Sequence, residues 1–214
     1  MNLLERRAML LRGASVNWEA YAKGLIDHSF ATGSIVFPSG VTNIHKNAFA
    51  GGAYTGDVII PTSVTSIGDS AFNGCSGLTS VTIPNSVTSI GNSAFYGCSG
   101  LESVVIPEGI TAIGSGVFRF CSNLKTNPFI LPSTLTSIGT YVIYQWFGTE
   151  TNPITLVCKA VTPPTLAAAN SISSAVNGIN IYVPDNSVAT YKAAQYWSTY
   201  ATKIFPISEY TGEL

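Results

Sequence analysis

LTSVTIPNSVTSIGNSAFYGC, residues 78–98, is one copy of a phrase that organises most of the chain. Its centre, VTIPNSVTSIGNSAF at 81–95, returns as IVFPSGVTNIHKNAF at 35–49, VIIPTSVTSIGDSAF at 58–72, VVIPEGITAIGSGVF at 104–118 and FILPSTLTSIGTYVI at 129–143. Pro38, Pro61, Pro84 and Pro107 stand 23 residues apart, and Pro132 follows at 25. A fixed step of this length marks stacked coils, each too small to bury its own apolar side chains and dependent on its neighbours.

The apolar rungs are regular. Val41, Val64, Val87, Ile110 and Leu135 follow each proline by three, and Ile44, Ile67, Ile90, Ile113 and Ile138 follow it by six. Within V-x-I-P the alternation has period two, so Val81 and Ile83 point inward, Thr82 points outward, and the proline ends a short strand. Five to six such coils over about 33–184, stacked at the spacing of neighbouring strands, make a rod roughly 25 to 30 Å long before its ends are covered. Thr126-Asn127-Pro128 and Thr151-Asn152-Pro153 are matched insertions at one place in two longer coils, which makes them a loop on one edge.

Composition agrees with a repeat array. Charged residues are 10% of the 214 and hydrophobic ones 46%, with a net charge of −1. Such a chain has no electrostatic footprint for a nucleic-acid backbone, so no nucleic-acid partner is expected. Gly, Pro, Ser, Thr and Asn interrupt every apolar run, and no membrane insertion is expected either. The opening Met1–Gly13 has an apolar stretch too short for a secretory signal and reads as a brief amphipathic helix. Either the chain is not exported by that route or its leader lies outside this sequence.

The ends read as caps. Ser15 is a candidate N-cap for a helix through Trp18 and Tyr21 that stops at Gly24. After Val157 the repeat fades; a strand at Ile179–Val183 and a helix from about Ser187 to Gln195 follow, with Val188 and Tyr191 on one helix face and Trp197, Ile204 and Ile207 behind it. The expected division is 1–32 as an N-terminal helical cap or arm, 33–157 as the solenoid, and 158–214 as an atypical last coil with a C-terminal cap.

The pattern L-x-x-V-x-I-P-x-x-V-T-x-I-G-x-x-A-F-x-x-C, complete at 78–98, resembles the BspA-type, or Treponema-type, leucine-rich repeat of gut bacteria. The resemblance is strong over about 35–157, and the segment from ITLVCKAVTPPTL to the C-terminal tail is similar to the ends of such proteins. It implies a right-handed solenoid of 23–25-residue coils, mainly short parallel β-strands with helical caps. It also implies an extracellular or cell-surface location and adhesion to a protein or glycan. The opening MNLLERRAMLL resembles the start of some structural proteins of gut-bacterial phages, so a structural or receptor-binding role in a phage or prophage particle stands as the alternative.

Motifs with chemical potential were weighed against the repeat. Gly68-Asp69-Ser70 looks like the nucleophile block of certain esterases, but both histidines, His28 and His45, lie upstream of it, and the tripeptide is in register with Gly91-Asn92-Ser93. The chain is therefore read as not an enzyme, with a hydrolase as the remote alternative. Cys75, Cys98 and Cys121, at 23-residue steps, form one rung whose side chains point the same way, unsuited to a disulfide's dihedral angle, and free buried thiols are expected. Cys158 is expected as a buried partner of the cap. Spacing of the C-x-x-C kind is missing, so no metal and no cofactor is expected.

Two features could bind. Tyr141, Tyr144, Trp146 and Phe147 replace small residues and the rung cysteine in the fifth coil; they either present a recognition surface or fill space beneath the cap. The outward residues of the strands, Ile59, Thr82, Val105, Ile130, Thr155 and Tyr182, form an almost uncharged column that either stiffens the sheet or offers a docking face, weak self-association included.

Overall fold

The computed structural model describes residues 32–37, 40–143, 154–172 and 178–212. The expected N-terminal helix, and Tyr144, Trp146 and Phe147, lie outside the described residues.

V-x-I-P lies in a strand from the second coil onward, as its alternation requires, while the first coil's strand precedes the phrase; these strands build two parallel sheets numbered here in chain order. The first runs β1 (Thr32–Gly33), β3 (Ala53–Ile59), β5 (Gly77–Thr82) and β7 (Ser103–Val105); the other runs β9 (Phe129–Leu131), β11 (Ile154–Cys158), β13 (Ile179–Val183) and β14 (Ile204–Pro206). Between β7 and β9 comes the insertion at Thr126-Asn127-Pro128. There the Val104 N–H donates to the Thr126 hydroxyl at 3.0 Å, so a side chain serves where a backbone partner serves elsewhere.

A second strand per coil was not anticipated. T-x-I-G contributes two residues to a continuous parallel ladder, β2 (Asn43–Ile44), β4 (Ser66–Ile67), β6 (Ser89–Ile90), β8 (Ala112–Ile113), β10 (Ser137–Ile138) and β12 (Thr165–Leu166). Its isoleucines fall rung on rung, Ile67 opposite Ile90 and Ile90 opposite Ile113. The turn that closes each coil stacks as well: Phe49 N–H donates to Ala71 O at 2.7 Å, and Phe72 N–H to Ala94 O at 2.7 Å. Neighbouring coils thus bind along three sides, except between β7 and β9, where only the T-x-I-G ladder and the turn continue, and Phe49, Phe72, Phe95 and Phe118 stack inside with centroids 5.0, 5.0 and 5.6 Å apart.

This closure explains two sets of small residues. Each coil turns through a left-handed residue at Asn47, Ser70, Ser93, Gly116 or Tyr141, and again at Gly51, Gly74, Gly97 or Phe120. The glycine of T-x-I-G answers to space instead. A Cβ at Gly91 would lie 2.5 Å from Asp69 N, and one at Gly114 would lie 2.5 Å from Asn92 N, both atoms of the preceding coil. His45 holds this rung in the first coil, just after β2, the end strand of the sheet, and is exposed.

At the C-terminal end a short 3-10 turn, Asp185–Ser187, leads into a helix at Val188–Ala193, shorter than expected because the chain leaves helical geometry at Ala194, which is extended. Tyr191, Trp197 and Tyr200 are buried beneath it, and each hydrogen-bonds a carbonyl of the coil below: Ala160 at 2.7 Å, Pro164 at 2.7 Å and Ala169 at 2.9 Å. Ile204 is buried as a member of β14, while Ile207 is half-buried.

A methyl group at residue 91 has no room unless two coils separate. Gly91→Ala is expected to cost about 1–3 kcal/mol, the usual penalty for overpacking. His45→Ala, at the same rung of the end coil, should change stability by less than about 0.5 kcal/mol. Urea denaturation of the two variants checks the contrast.

Candidate recognition surface

The outward column divides into two parts. Ile59 is paired with Thr82 and Thr82 with Val105, as the repeat predicts. Val36, which the sequence reading passed over, holds the corresponding place in the first coil. Val36, Ile59 and Val105 are 65%, 70% and 73% exposed, and Thr82 between them is exposed.

Beyond the insertion the column is covered by degrees. Ile130 is half-buried, and its partner in β11 is Val157, not Thr155. Thr155 therefore leaves the expected column: it pairs with Asn180, and its N–H donates to Asn127 Oδ1 at 2.9 Å. The physical reason is register. Leu156 and Cys158 supply the inward pair of this strand, Lys159 takes the proline's place, and Val157 becomes the outward residue, with no exposed surface. Tyr182 pairs with Val157 and then with Phe205. Phe205 and Tyr210, which packs on Tyr182, were missed; the available signal was the likeness of Ile204-Phe205-Pro206 to the strand phrase.

The turn side carries Tyr141, half-buried. The Arg119 guanidinium lies 4.9 Å from the centre of the Tyr141 ring and 4.9 Å from that of Phe120. Both aromatic residues occupy the left-handed positions that other coils fill with glycine or small polar residues, so the fourth and fifth coils depart from the repeat in side chain and not in backbone.

Gly68-Asp69-Ser70 is a coil element. Asp69 Oδ1 accepts the Asn92 N–H at 2.7 Å, and Asn92 Oδ1 accepts the Ser115 N–H at 2.7 Å, so side chains at this rung tie one coil to the next. Ser70 turns the chain at a φ of 54° and donates its own N–H to Asn92 O at 2.8 Å. Among the described residues there is no group of three or more His, Cys, Asp or Glu placed to hold a metal ion.

All four cysteines are free and buried. The thiols of Cys75, Cys98 and Cys121 donate to the carbonyls of Phe49, Phe72 and Phe95 at 3.0, 3.1 and 3.1 Å. Burial pushes Cys75 and Cys121 up to about 12 and raises Cys98 well above the usual thiol range. Cys158 is held up at about 11 by burial, and its sulfur lies 3.2 Å from the oxygen of Tyr191. Thiolates are the reactive form, and these groups are kept from it.

The pattern of the BspA type leucine rich repeat region matches the chain in six copies across residues 27–149, more than half its length. Among solved structures, the chain is similar to a leucine-rich repeat protein from Bacteroides ovatus at 22% identity and a TM-score of 0.54, over 74% of this chain and 48% of that one. It is similar as well to the T. pallidum leucine-rich repeat protein, at 22% identity and a TM-score of 0.51 over 86% of each. The chain spans about half the length of the Bacteroides ovatus protein. These likenesses establish the fold. No curated protein matches.

A thiol whose proton is held more tightly in the folded chain favours folding below its unfolded pKa, and that contribution fades as pH climbs toward the folded value. Stability is therefore expected to fall from about pH 9 upward, and replacing Cys75, Cys98 and Cys121 by Ala should flatten that fall. Urea midpoints at several alkaline pH values measure it. Below that range a disulfide-exchange reagent should find four thiols only after unfolding.

Proposed function

Because the chain belongs to the BspA-type leucine-rich repeat family, we propose that it is a non-enzymatic recognition scaffold at a bacterial cell surface that docks a protein ligand on the outer face of its first sheet. The observation that carries this reading is the rank of Ile59, Thr82 and Val105 on neighbouring strands, with Val36 at the same place of the first coil's phrase; the three apolar ones are about two-thirds or more exposed. Fully burying one such side chain is worth roughly 1.5–3 kcal/mol, so a partner covering the rank gains several of these contributions at once. The centre of a protein interface is depleted in charge and largely apolar, as this rank is.

The scaffold supports the reading as well. β3 and β5, each flanked by a strand on both sides, present Ile59 and Thr82 already ordered, which lowers the entropic cost of association. Asp57, Ser80 and Ser103 lie along the neighbouring rung, where Ser80 donates to Asp57 Oδ1 at 2.6 Å, and they supply a polar rim. A surface location gives such a face access to other proteins.

Immobilised host matrix proteins, collagen and laminin among them, provide the test. Saturable binding by the full chain is expected to weaken by roughly tenfold or more in Ile59→Glu with Val105→Lys, the effect of losing one or two interface anchors. Circular dichroism should show the fold unchanged. Binding that survives the double substitution sinks the reading. Sedimentation showing that the substitution only dissolves a dimer would reassign the face to self-association, and co-assembly with virion proteins in place of ligand binding would favour the phage alternative.

A further inference from the structure

The covered end of the outward column holds a second, chemically different cluster. Tyr182 on β13 and its partner Phe205 on β14 have ring centroids 5.7 Å apart, tilted by 37°, and Tyr210 lies 5.1 Å from Tyr182, tilted by 54°. Rings at these tilts do not close flush on one another, and all three remain partly exposed. Asn180, two residues before Tyr182 on the same strand face, is half-buried, and its side-chain amide has no hydrogen-bond partner among the described residues.

The frame beneath is rigid. β13 is bonded to β11 on one side and β14 on the other. Tyr210 is held by its own N–H, which donates to Ile207 O at 2.9 Å, and by the turn before it, where Ser208 N–H donates to Asp185 Oδ1 at 3.0 Å. The cluster is separate from the exposed rank of the first sheet: Ile130 and the fully buried Val157 lie between, and the sheet itself is interrupted at Thr126.

We propose that Tyr182, Phe205, Tyr210 and Asn180 form a subsite for one pyranose ring of a glycan. An aromatic ring offers an apolar face to the C–H side of a sugar, while the amide of Asn180 can both donate to and accept from its hydroxyls. Asn180 and Tyr182 are two residues apart on one strand, or about 7 Å, which places the amide beside the rings and not beneath them. Two strands by three to four residues is a patch on the order of 100 Å², room for one sugar ring.

Affinity electrophoresis of the full chain through gels containing xylan, galactan or glucomannan tests the assignment. Retardation by at least one of these polysaccharides is expected, weakened roughly tenfold in Tyr210→Ala and in Asn180→Ala, the loss of about one good contact. Neither residue lies in the solenoid core, and a melting curve for each variant separates lost binding from lost fold. Val161→Ser, an exposed apolar residue elsewhere, should migrate as wild type. Three results overturn the assignment: no retardation in any of the gels, retardation unchanged in both variants, or a protein ligand whose capture fails in Tyr210→Ala. Because the readout is polysaccharide retardation, its failure leaves docking on the first sheet untouched.

Discussion

Every coil must sit one backbone hydrogen bond away from the next, and the rest of the molecule answers to that distance. At the junctions within each sheet three stacked segments impose it at once, so the spacing cannot relax on one side without breaking bonds on the others. Phenylalanine fits because flat rings stack at 5.0–5.6 Å, close to the step of the backbone. Glycine at Gly91 and Gly114 fits because nothing larger does. The inward cysteines fit because a thiol can reach the carbonyl of an earlier coil without opening the stack.

Freedom is left only where side chains point away from the stack, and the protein uses it unevenly. The first sheet spends its outward positions on aliphatic and β-branched residues, and the last one on aromatics. On the turn side Phe120 and Tyr141 stand in left-handed backbone where the other coils place glycine or small polar residues. A bulky residue in that conformation costs roughly 1–2 kcal/mol. Here the cost is offset by ring contacts with Arg119 and, for Phe120, with Tyr96 at 5.0 Å.

The coil length, the inward rungs and the sense of V-x-I-P were legible because a period of 23 leaves little choice of which residues meet. The second ladder was not, because T-x-I-G has one inward residue per strand and no alternation from which to infer extension. Thr155 was misplaced for a related reason. After an insertion the period no longer counts out the register, and Ile154-Thr155-Leu156 imitates the strand phrase two residues early. The aromatic cluster joins Tyr182 to Phe205, whose short strand phrase stands outside the 23-residue period, and to Tyr210, which only packing brings near. The cap itself was visible in outline, since Tyr191 and Trp197 are too large to stand in solvent.

The like geometry of the junctions between 23-residue coils has a consequence for how such a protein changes over generations. Ile67 meets Ile90 in the same way that Ile90 meets Ile113, so removing or duplicating one 23-residue unit brings together surfaces that already fit. Length becomes a copy number, open to recombination between near-identical stretches, with no seam to repair. The ends are different: Pro206 sits in the last strand, without an N–H to extend the ladder, and Trp197 and Tyr200 are matched to carbonyls of a single coil. The interior of the rod can therefore drift in number while its terminus is inherited intact, and the aromatic cluster beside that terminus travels with it.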